Sequence, residues 1–213
     1  RYAEDPTTKI LCVAYGSDPE SVKLWRPDLE DMPRELRQWF TERKPIRAFN
    51  AEFELAIYTR LLRDQYDLPG LTPQQIHCTQ AEALAATMPA SLGECALALG
   101  LPADKQKDAE GKRLIQYLCK PFKNKMRTDP VRLAALGDYC VQDVITEMAV
   151  ASKLRPLRKS ELRLYRRNLQ MNARGLPVNT SQVETMRQRA HQLKDEAVSK
   201  CIAACGVSPT KTK

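Results

Sequence analysis

A tyrosine and a carboxylate one helical turn apart, Tyr139 and Asp143, are the residues whose types and spacing best suit chemistry on water. They lie between Pro130 and Leu154, where apolar residues recur every three or four positions, which predicts an amphipathic helix. Residues four apart share one helix face, so the phenol and the carboxylate can address the same point. The carboxylate can bind a hard cation while the phenol orients a water nucleophile. The same pair also occurs on surface helices that only face solvent.

A second acid, Glu54, stands at a predicted junction between a strand and a helix. The short apolar run Pro45 to Phe49 predicts a strand that leads directly into Asn50. Asn50 can cap a helix that reaches Arg63, and Glu54 follows Phe53 in its first turn, where the helix dipole favours a carboxylate. This arrangement predicts an acid at the C-terminal edge of a sheet, where active sites of α/β domains gather. A first-turn Glu that only stabilises its helix is the plainer interpretation.

The elements that must position these residues follow from local patterns. Short apolar or alternating runs predict strands, and patterns with a three- to four-residue period predict helices. Predicted strands are Lys9–Tyr15, Ser21–Trp25 and Gln75–Thr79, the first two forming a hairpin. Predicted helices are Pro33–Glu42, Thr79–Thr87, a capping-box helix from Ser91 to Leu99, a helix from Leu114, Ser160–Ala173 and Ser181–Cys205. The order predicts an α/β domain over residues 1–156, followed by a helical segment over residues 157–213.

Charge is distributed unevenly along the 213 residues. Residues 1–154 carry 21 basic and 22 acidic side chains, whereas residues 155–213 carry 13 basic and 4 acidic ones. The net charge of +8 therefore resides in the last part of the chain, which favours an anionic partner such as a phosphate backbone. A polar loop from Ala103 to Arg113 offers Lys107, Lys112 and Arg113 for phosphate contact. Ordinary solvation of these basic residues is the alternative in both places.

Composition narrows the class of protein. Seven cysteines, with no Cys-x-x-Cys pair and only two histidines, argue against a structural zinc site and indicate reduced thiols. No apolar run approaches the ~20 residues that span a bilayer, and no signal peptide is recognisable. We therefore expect a cytoplasmic protein with no membrane partner.

The motifs, taken together, resemble a known family. Asn50-x-x-Phe53-Glu54 and Tyr139-x-x-x-Asp143 resemble the second and third motifs of the DEDD 3′–5′ exonucleases, in the branch with tyrosine before the last aspartate. The wider sequence resembles the opening of bacteriophage-type family A DNA polymerases. The stretches that carry this wider likeness are Arg1 to Pro6, Ile10 to Tyr15, Leu24 to Pro27, Cys78-Thr79, Ser91-Leu92, Leu99 to Pro102, Gly111 to Leu114, Cys119 to Pro121, Tyr139 to Val144 and Asn172 to Val178.

This resemblance implies a ribonuclease-H-like fold, with a mixed sheet flanked by helices, and hydrolytic removal of a 3′-terminal nucleotide by two ions, Mg²⁺ or Mn²⁺. It assigns Asp143 and Glu54 as metal ligands, Tyr139 as the residue that orients water, and Asn50 with Phe53 as contacts of the terminal nucleotide. The implied partners are single-stranded DNA 3′ ends or primer–template DNA, and a polymerase domain in the same parent chain.

The sequence departs from the family pattern at two positions. Glu54 stands where aspartate is commoner, and the first motif, Asp-x-Glu on the opening strand, is absent, since Glu4 and Asp5 precede the strand Lys9–Tyr15. Because the resemblance runs to Arg1, we expect the sequence shown to begin downstream of its natural start. The alternative is a nucleic-acid-binding module that retains the fold without hydrolysis. A free-standing exonuclease that repairs DNA or trims RNA is a third interpretation.

Overall fold

The computed structural model describes residues 2–102, 109–120 and 127–209, and its contacts divide the chain into two compact units, Arg1–Gln170 and Met171–Lys213. The strands are β1 (Val13–Tyr15), β2 (Lys23–Trp25), β3 (Ile46–Ala48) and β4 (Ile76–Cys78). The helices are α1 (Arg34–Thr41), α2 (Ala51–Ile57), α3 (Arg63–Gln65), α4 (Thr79–Ala85), α5 (Leu92–Ala98), α6 (Ala109–Leu118), α7 (Pro130–Lys153), α8 (Lys159–Arg174) and α9 (Thr180–Cys205), with a 3₁₀ turn at Tyr2–Glu4 and a π-helical segment at Tyr58–Leu62.

Strands β1 and β2 form the predicted hairpin, in which Ala14 pairs with Leu24 in antiparallel register. The connecting turn is fixed by the Asp18 carboxylate, which accepts a hydrogen bond of 2.9 Å from the Ser21 backbone N–H. Trp25 ends β2 completely buried, in a core that it shares with Leu36 of α1. The hairpin therefore anchors one side of the first unit.

Strands β3 and β4 pair in parallel, with Arg47 opposite His77. Each strand runs directly into a helix, β3 into α2 and β4 into α4, so both helices begin at the same edge of this small sheet. The predicted strands and the α/β class are confirmed. In the part of the chain that the structure describes, the strands lie in two separate two-stranded sheets, whereas we expected one mixed sheet.

Helix α7 is the longest element of the first unit, and it begins where the sequence indicates. Asp129 caps it through a hydrogen bond of 3.2 Å accepted from the backbone N–H of Arg132, and Pro130 occupies its first turn. The helix packs against α5, α6 and the β1–β2 hairpin. Gly137 allows the close approach to the hairpin, because a Cβ there would lie 2.5 Å from Leu24 Cδ2.

Three local predictions were wrong in detail. Asn50 precedes α2 in the left-handed conformation (φ 65°, ψ 51°) without a side-chain capping bond, and Ser91 makes none at α5 either. The predicted polar loop over residues 103–113 is helical from Ala109, and Gly111 of this helix is buried against Tyr139 of α7, whereas residues 103–108 lie outside the described residues.

The later helices agree with the periodic pattern. Leu169 of α8 is buried with Ile76 and Cys78, and the Arg166 guanidinium donates hydrogen bonds to the carbonyls of Pro73 and Gln74 at 3.1 and 2.9 Å. In the second unit, α9 is capped by Asn179 and ends at Gly206, whose φ is 70°. Among the described residues, no helix is both long and apolar enough to cross a membrane.

Candidate active site

Helix α7 presents Tyr139, Asp143 and Glu147 on one face, because they are spaced by four residues. Tyr139 is buried in a cluster with Leu118 and Leu136, and its hydroxyl oxygen is shielded from solvent. Asp143 is half-buried, with one carboxylate oxygen also shielded. The predicted pair is therefore directed into the protein, as a site residue is, and does not lie on a solvated helix face.

Helix α6 covers the Tyr139 ring. Gly111 lies against it so closely that a Cβ at that position would be 2.0 Å from two atoms of the ring. Such a distance is far below ordinary contact, so a glycine is required here for α6 to approach α7. Gly111 was not among the residues that we singled out individually, since a glycine inside a polar stretch predicts a loop.

Glu54 occupies the first turn of α2, after β3. Its side chain retains solvent-exposed surface, although many protein atoms lie around its carboxylate. This burial raises the pKa of Glu54 to about 7, and the charge of Glu147 adds to the effect. A nearby cation would stabilise the ionised form of a carboxylate whose pKa is raised in this way.

The charges of Glu54 and Asp143 both affect the thiol of Cys140. The hydrogen bond with Cys12 lowers the pKa of the Cys140 thiol. Burial and the negative charges of Asp143 and Glu54 act in the opposite direction, because they oppose ionisation of the thiol. Two carboxylates nearly ninety positions apart in the sequence thus act on one thiol. Helices α2 and α7 thus each supply a carboxylate whose charge reaches Cys140.

A polar network lies behind Glu54. The Thr79 hydroxyl at the start of α4 donates a short hydrogen bond to the buried Glu147 carboxylate. Arg47 of β3 donates to Thr79 at 3.3 Å and forms an ion pair of 2.5 Å with the buried Glu82 carboxylate. Burial raises the pKa of Glu147, although the Thr79 hydrogen bond and the positive charge of Arg47 each lower it. The network fixes α4, β3 and α7 together under the site.

Glu147 was missed in the sequence, although a signal for it was present. It continues the Tyr139–Asp143 spacing by one more turn, and a carboxylate on a predicted apolar face is unusual. Thr79 carried no comparable signal, because its contact with Glu147 joins residues 68 positions apart.

The predicted substrate-binding residues have different outcomes. Asn50 is exposed at the junction of β3 and α2, and its left-handed backbone leaves its carboxamide out of the cap. Phe53 is exposed in the same turn as Glu54. Arg113 is an exposed residue of α6. Lys107 lies outside the described residues, and for Lys112 only the helical backbone is described.

The donor set suits a hard cation. Glu54 and Asp143 supply carboxylate oxygens, the ligands of Mg²⁺ or Mn²⁺, and Mg²⁺ commonly takes one or two carboxylates with water and phosphate completing its shell. Within residues 2–102, 109–120 and 127–209, no three His, Cys, Asp or Glu side chains are grouped as a metal site would need. Two carboxylates are fewer protein ligands than the expected pair of ions would need.

Comparison with known proteins gives one informative match. The chain is 34% identical to a DNA polymerase of Bacillus phage SP02 over 200 residues, which cover 86% of this chain and 29% of that relative. The chain is a DNA-polymerase-related region. It spans less than a third of the length of the relative that it matches. No family model matches the sequence, and no solved structure matches it.

Proposed function

We propose that this chain is the proofreading 3′–5′ exonuclease portion of a phage-type DNA-directed DNA polymerase, on a ribonuclease-H-like scaffold. The observation that carries the proposal is that the charges of Glu54 and Asp143 both act on the thiol of Cys140, the residue that follows Tyr139. The similarity to a phage DNA polymerase supports a role on DNA. The basic C-terminal part of the sequence suits a phosphate backbone as partner.

In this proposal, each side chain has a role at the 3′-terminal phosphodiester. Asp143 and Glu54 would hold divalent metal, and Tyr139 would orient the water whose oxygen attacks the phosphorus. The bond from phosphorus to the 3′ oxygen of the preceding nucleotide breaks, which releases a nucleoside 5′-monophosphate and leaves a 3′-hydroxyl. When bound, Mg²⁺ or Mn²⁺ supplies Lewis acidity toward water and the leaving oxygen.

The residues at the start of α2 suit the terminal nucleotide. The exposed Phe53 ring offers an apolar face for a base, since stacking on aromatic side chains tolerates any base. Asn50 is exposed one turn before Glu54, and its carboxamide can both donate and accept hydrogen bonds. Together they position a nucleotide whose phosphate lies at the carboxylates.

A second candidate function is a module that binds DNA ends without hydrolysis. One observation favours it. The Tyr139 hydroxyl is shielded from solvent beneath α6. In this case, Glu54 and Asp143 hold a cation that neutralises a bound phosphate.

Replacement of Asp143 separates the two functions. With 5′-labelled single-stranded DNA and Mg²⁺, we expect stepwise shortening from the 3′ end, which Asp143→Ala and chelation by EDTA both abolish. Asp138→Ala is the matched control, because Asp138 is an exposed aspartate of the same helix. Undiminished cutting by Asp143→Ala would contradict the assignment of Asp143 as a metal ligand of the exonuclease. Binding without cutting by the unaltered protein would favour the second function.

A further inference from the structure

A cavity of about 240 Å³ lies between α6 and the start of α7, outside the site described above. It is lined by Arg113, Leu114, Tyr117 and Arg132. Its two arginines come from different helices, so packing between the helices creates the cavity. Neither proposed metal ligand lines it.

Tyr117 stacks with one arginine that lines the cavity, Arg132, and with Arg127, which does not line it. The Arg132 guanidinium carbon lies 3.9 Å from the centre of the Tyr117 ring, and that of Arg127 lies 4.3 Å from it. Arg127 also donates a hydrogen bond of 3.3 Å to the Tyr117 carbonyl. A guanidinium stacked on an aromatic ring keeps its N–H groups directed outward in its own plane, where they can bind an anion bidentately.

Among the side chains that the structure describes, positive charge exceeds negative charge around the cavity. Asp129 is within 3.4 Å of Arg132, and this exposed pair is weak because solvent screens it. Arg113 is exposed and forms no ion pair with any residue that the structure describes. Of the described side chains, three arginines lie around this tyrosine with one carboxylate beside them, a set that suits a phosphate group.

The cavity is close to the proposed active site. Arg132 and Tyr139 are seven residues apart on α7, which places them on the same side of the helix about 10.5 Å apart along its axis. Leu114 and Tyr117, which line the cavity, also pack against the cluster that contains Tyr139. A strand with its 3′ end at Tyr139 can therefore pass the cavity with a phosphate only a few nucleotides from the end.

We propose that the cavity formed by Arg113, Tyr117 and Arg132 binds a backbone phosphate of the single DNA strand whose 3′ end occupies the Glu54–Asp143 site. The assignment of that end rests on the proposed function. Phosphate binding itself depends only on the arginines and the ring. The same chemistry would accept a free phosphate ion, so the test has to separate the two sources.

The salt dependence of DNA binding tests the phosphate contact. For a single strand, the slope of log affinity against log salt is about −0.7 for each phosphate neutralised. We expect Arg113→Gln and Arg132→Gln each to make this slope shallower by about 0.7, measured with labelled oligothymidylate in EDTA, which prevents cutting. Arg63→Gln is the matched control, since Arg63 has a similar exposure and also pairs with a neighbouring aspartate. Unchanged slopes in both cavity variants would overturn the proposal.

A neutral linkage then locates the phosphate on the strand. Oligothymidylates that carry one methylphosphonate at successive positions from the 3′ end should lose affinity at one position only. That loss should disappear in Arg113→Gln, because the contact is already absent there. An equal loss of affinity in Arg113→Gln and in the unaltered protein would contradict the proposal. So would a result in which inorganic phosphate competes with the oligothymidylate and no methylphosphonate position lowers its affinity.

These outcomes are separate from those of the exonuclease test. If one methylphosphonate position lowers the affinity but the protein does not cut DNA, the phosphate-binding role of the cavity is supported and only the hydrolytic function is contradicted. If Asp143→Ala abolishes cutting but no methylphosphonate position lowers the affinity, the exonuclease assignment stands and the phosphate-binding role of the cavity is contradicted.

Discussion

Glu54 shows how a single residue of this protein combines function with a cost in stability. Its carboxylate would be ionised at neutral pH in water, but burial and the charge of Glu147 raise its pKa to about 7. The unfolded chain has no such environment, so it releases the proton from Glu54 at lower pH. A residue that binds metal must lose that proton, and for this reason metal binding should strengthen as the pH rises through about 7.

The raised pKa predicts a pH-dependent effect of Glu54→Gln on stability. The folded protein binds this proton more tightly than the unfolded chain, so the contribution of Glu54 to stability falls as the pH rises from its ordinary pKa of 4.5 to about 7. Without metal, Glu54→Gln should therefore raise the melting temperature at about pH 8 and change it little near about pH 4.

Thermal melts followed by circular dichroism in EDTA measure this difference. Glu52→Gln is the control, because Glu52 is an exposed neighbour in the same helical turn. A melting-temperature gain that is equal at both pH values would contradict the raised pKa.

At the scale of elements, the contact between α6 and α7 decides where Tyr139 lies. The long α7 forms from local features, its Asp129 cap and its periodic apolar residues. The orientation of the Tyr139 ring, in contrast, depends on Gly111 of α6, which lies 28 positions earlier in the sequence and directly on the ring. Helix α6 is therefore the element that holds Tyr139 in place.

Gly111→Ala should displace Tyr139. The added methyl group would lie 2.0 Å from ring atoms, and overpacking of this kind costs about 1–3 kcal/mol, more than the ~1 kcal/mol that alanine contributes as a helix former. We expect a lower melting temperature and slower 3′ cutting. Gly70→Ala is the control, since a Cβ there meets nothing within 4 Å.

A double-mutant cycle with Tyr139→Ala identifies the cause of the effect. When the ring is absent, Gly111→Ala should no longer destabilise the protein, because the methyl group has space. Additive losses of stability in the double variant would show that Gly111 acts elsewhere in α6.

At the scale of the whole molecule, the excess positive charge divides between the two units. Residues 171–213 carry seven basic and three acidic side chains, and the remaining excess belongs to residues 155–170. Arg163 and Arg167 are exposed on α8, whereas Arg166 is used to bind carbonyl groups of the first unit. The predicted domain boundary at residue 156 stays a prediction, and Leu169 shows that α8 contributes to the core of the first unit.

Removal of residues 171–213 tests the role of the basic C-terminal part. Because Leu169 and Arg166 remain, the first unit should keep its melting temperature within a few degrees, while affinity for DNA falls and its salt dependence becomes shallower. A deletion from residue 157 would also remove Leu169, and it should lower the melting temperature strongly. Unchanged affinity at low salt after removal of 171–213 would assign that charge to solvation alone.

The sequence by itself determined the local elements and the candidate chemistry. Periodic apolar residues and helix ends predicted α7, α8 and α9 within a residue or two, and paired residue types selected Glu54, Tyr139 and Asp143. These features are readable because hydrophobic periodicity and capping act over one or two turns of chain.

Only the tertiary structure decided how those residues are surrounded. It gave Asn50 a left-handed backbone in place of a cap, placed Gly111 on the Tyr139 ring, and brought Glu147 close enough to raise the pKa of Glu54. Each of these depends on contacts between residues distant in sequence, and local composition does not encode which distant atoms approach. Burial and charge around a site are properties of the packed protein, so they appear only when its helices and strands are in contact.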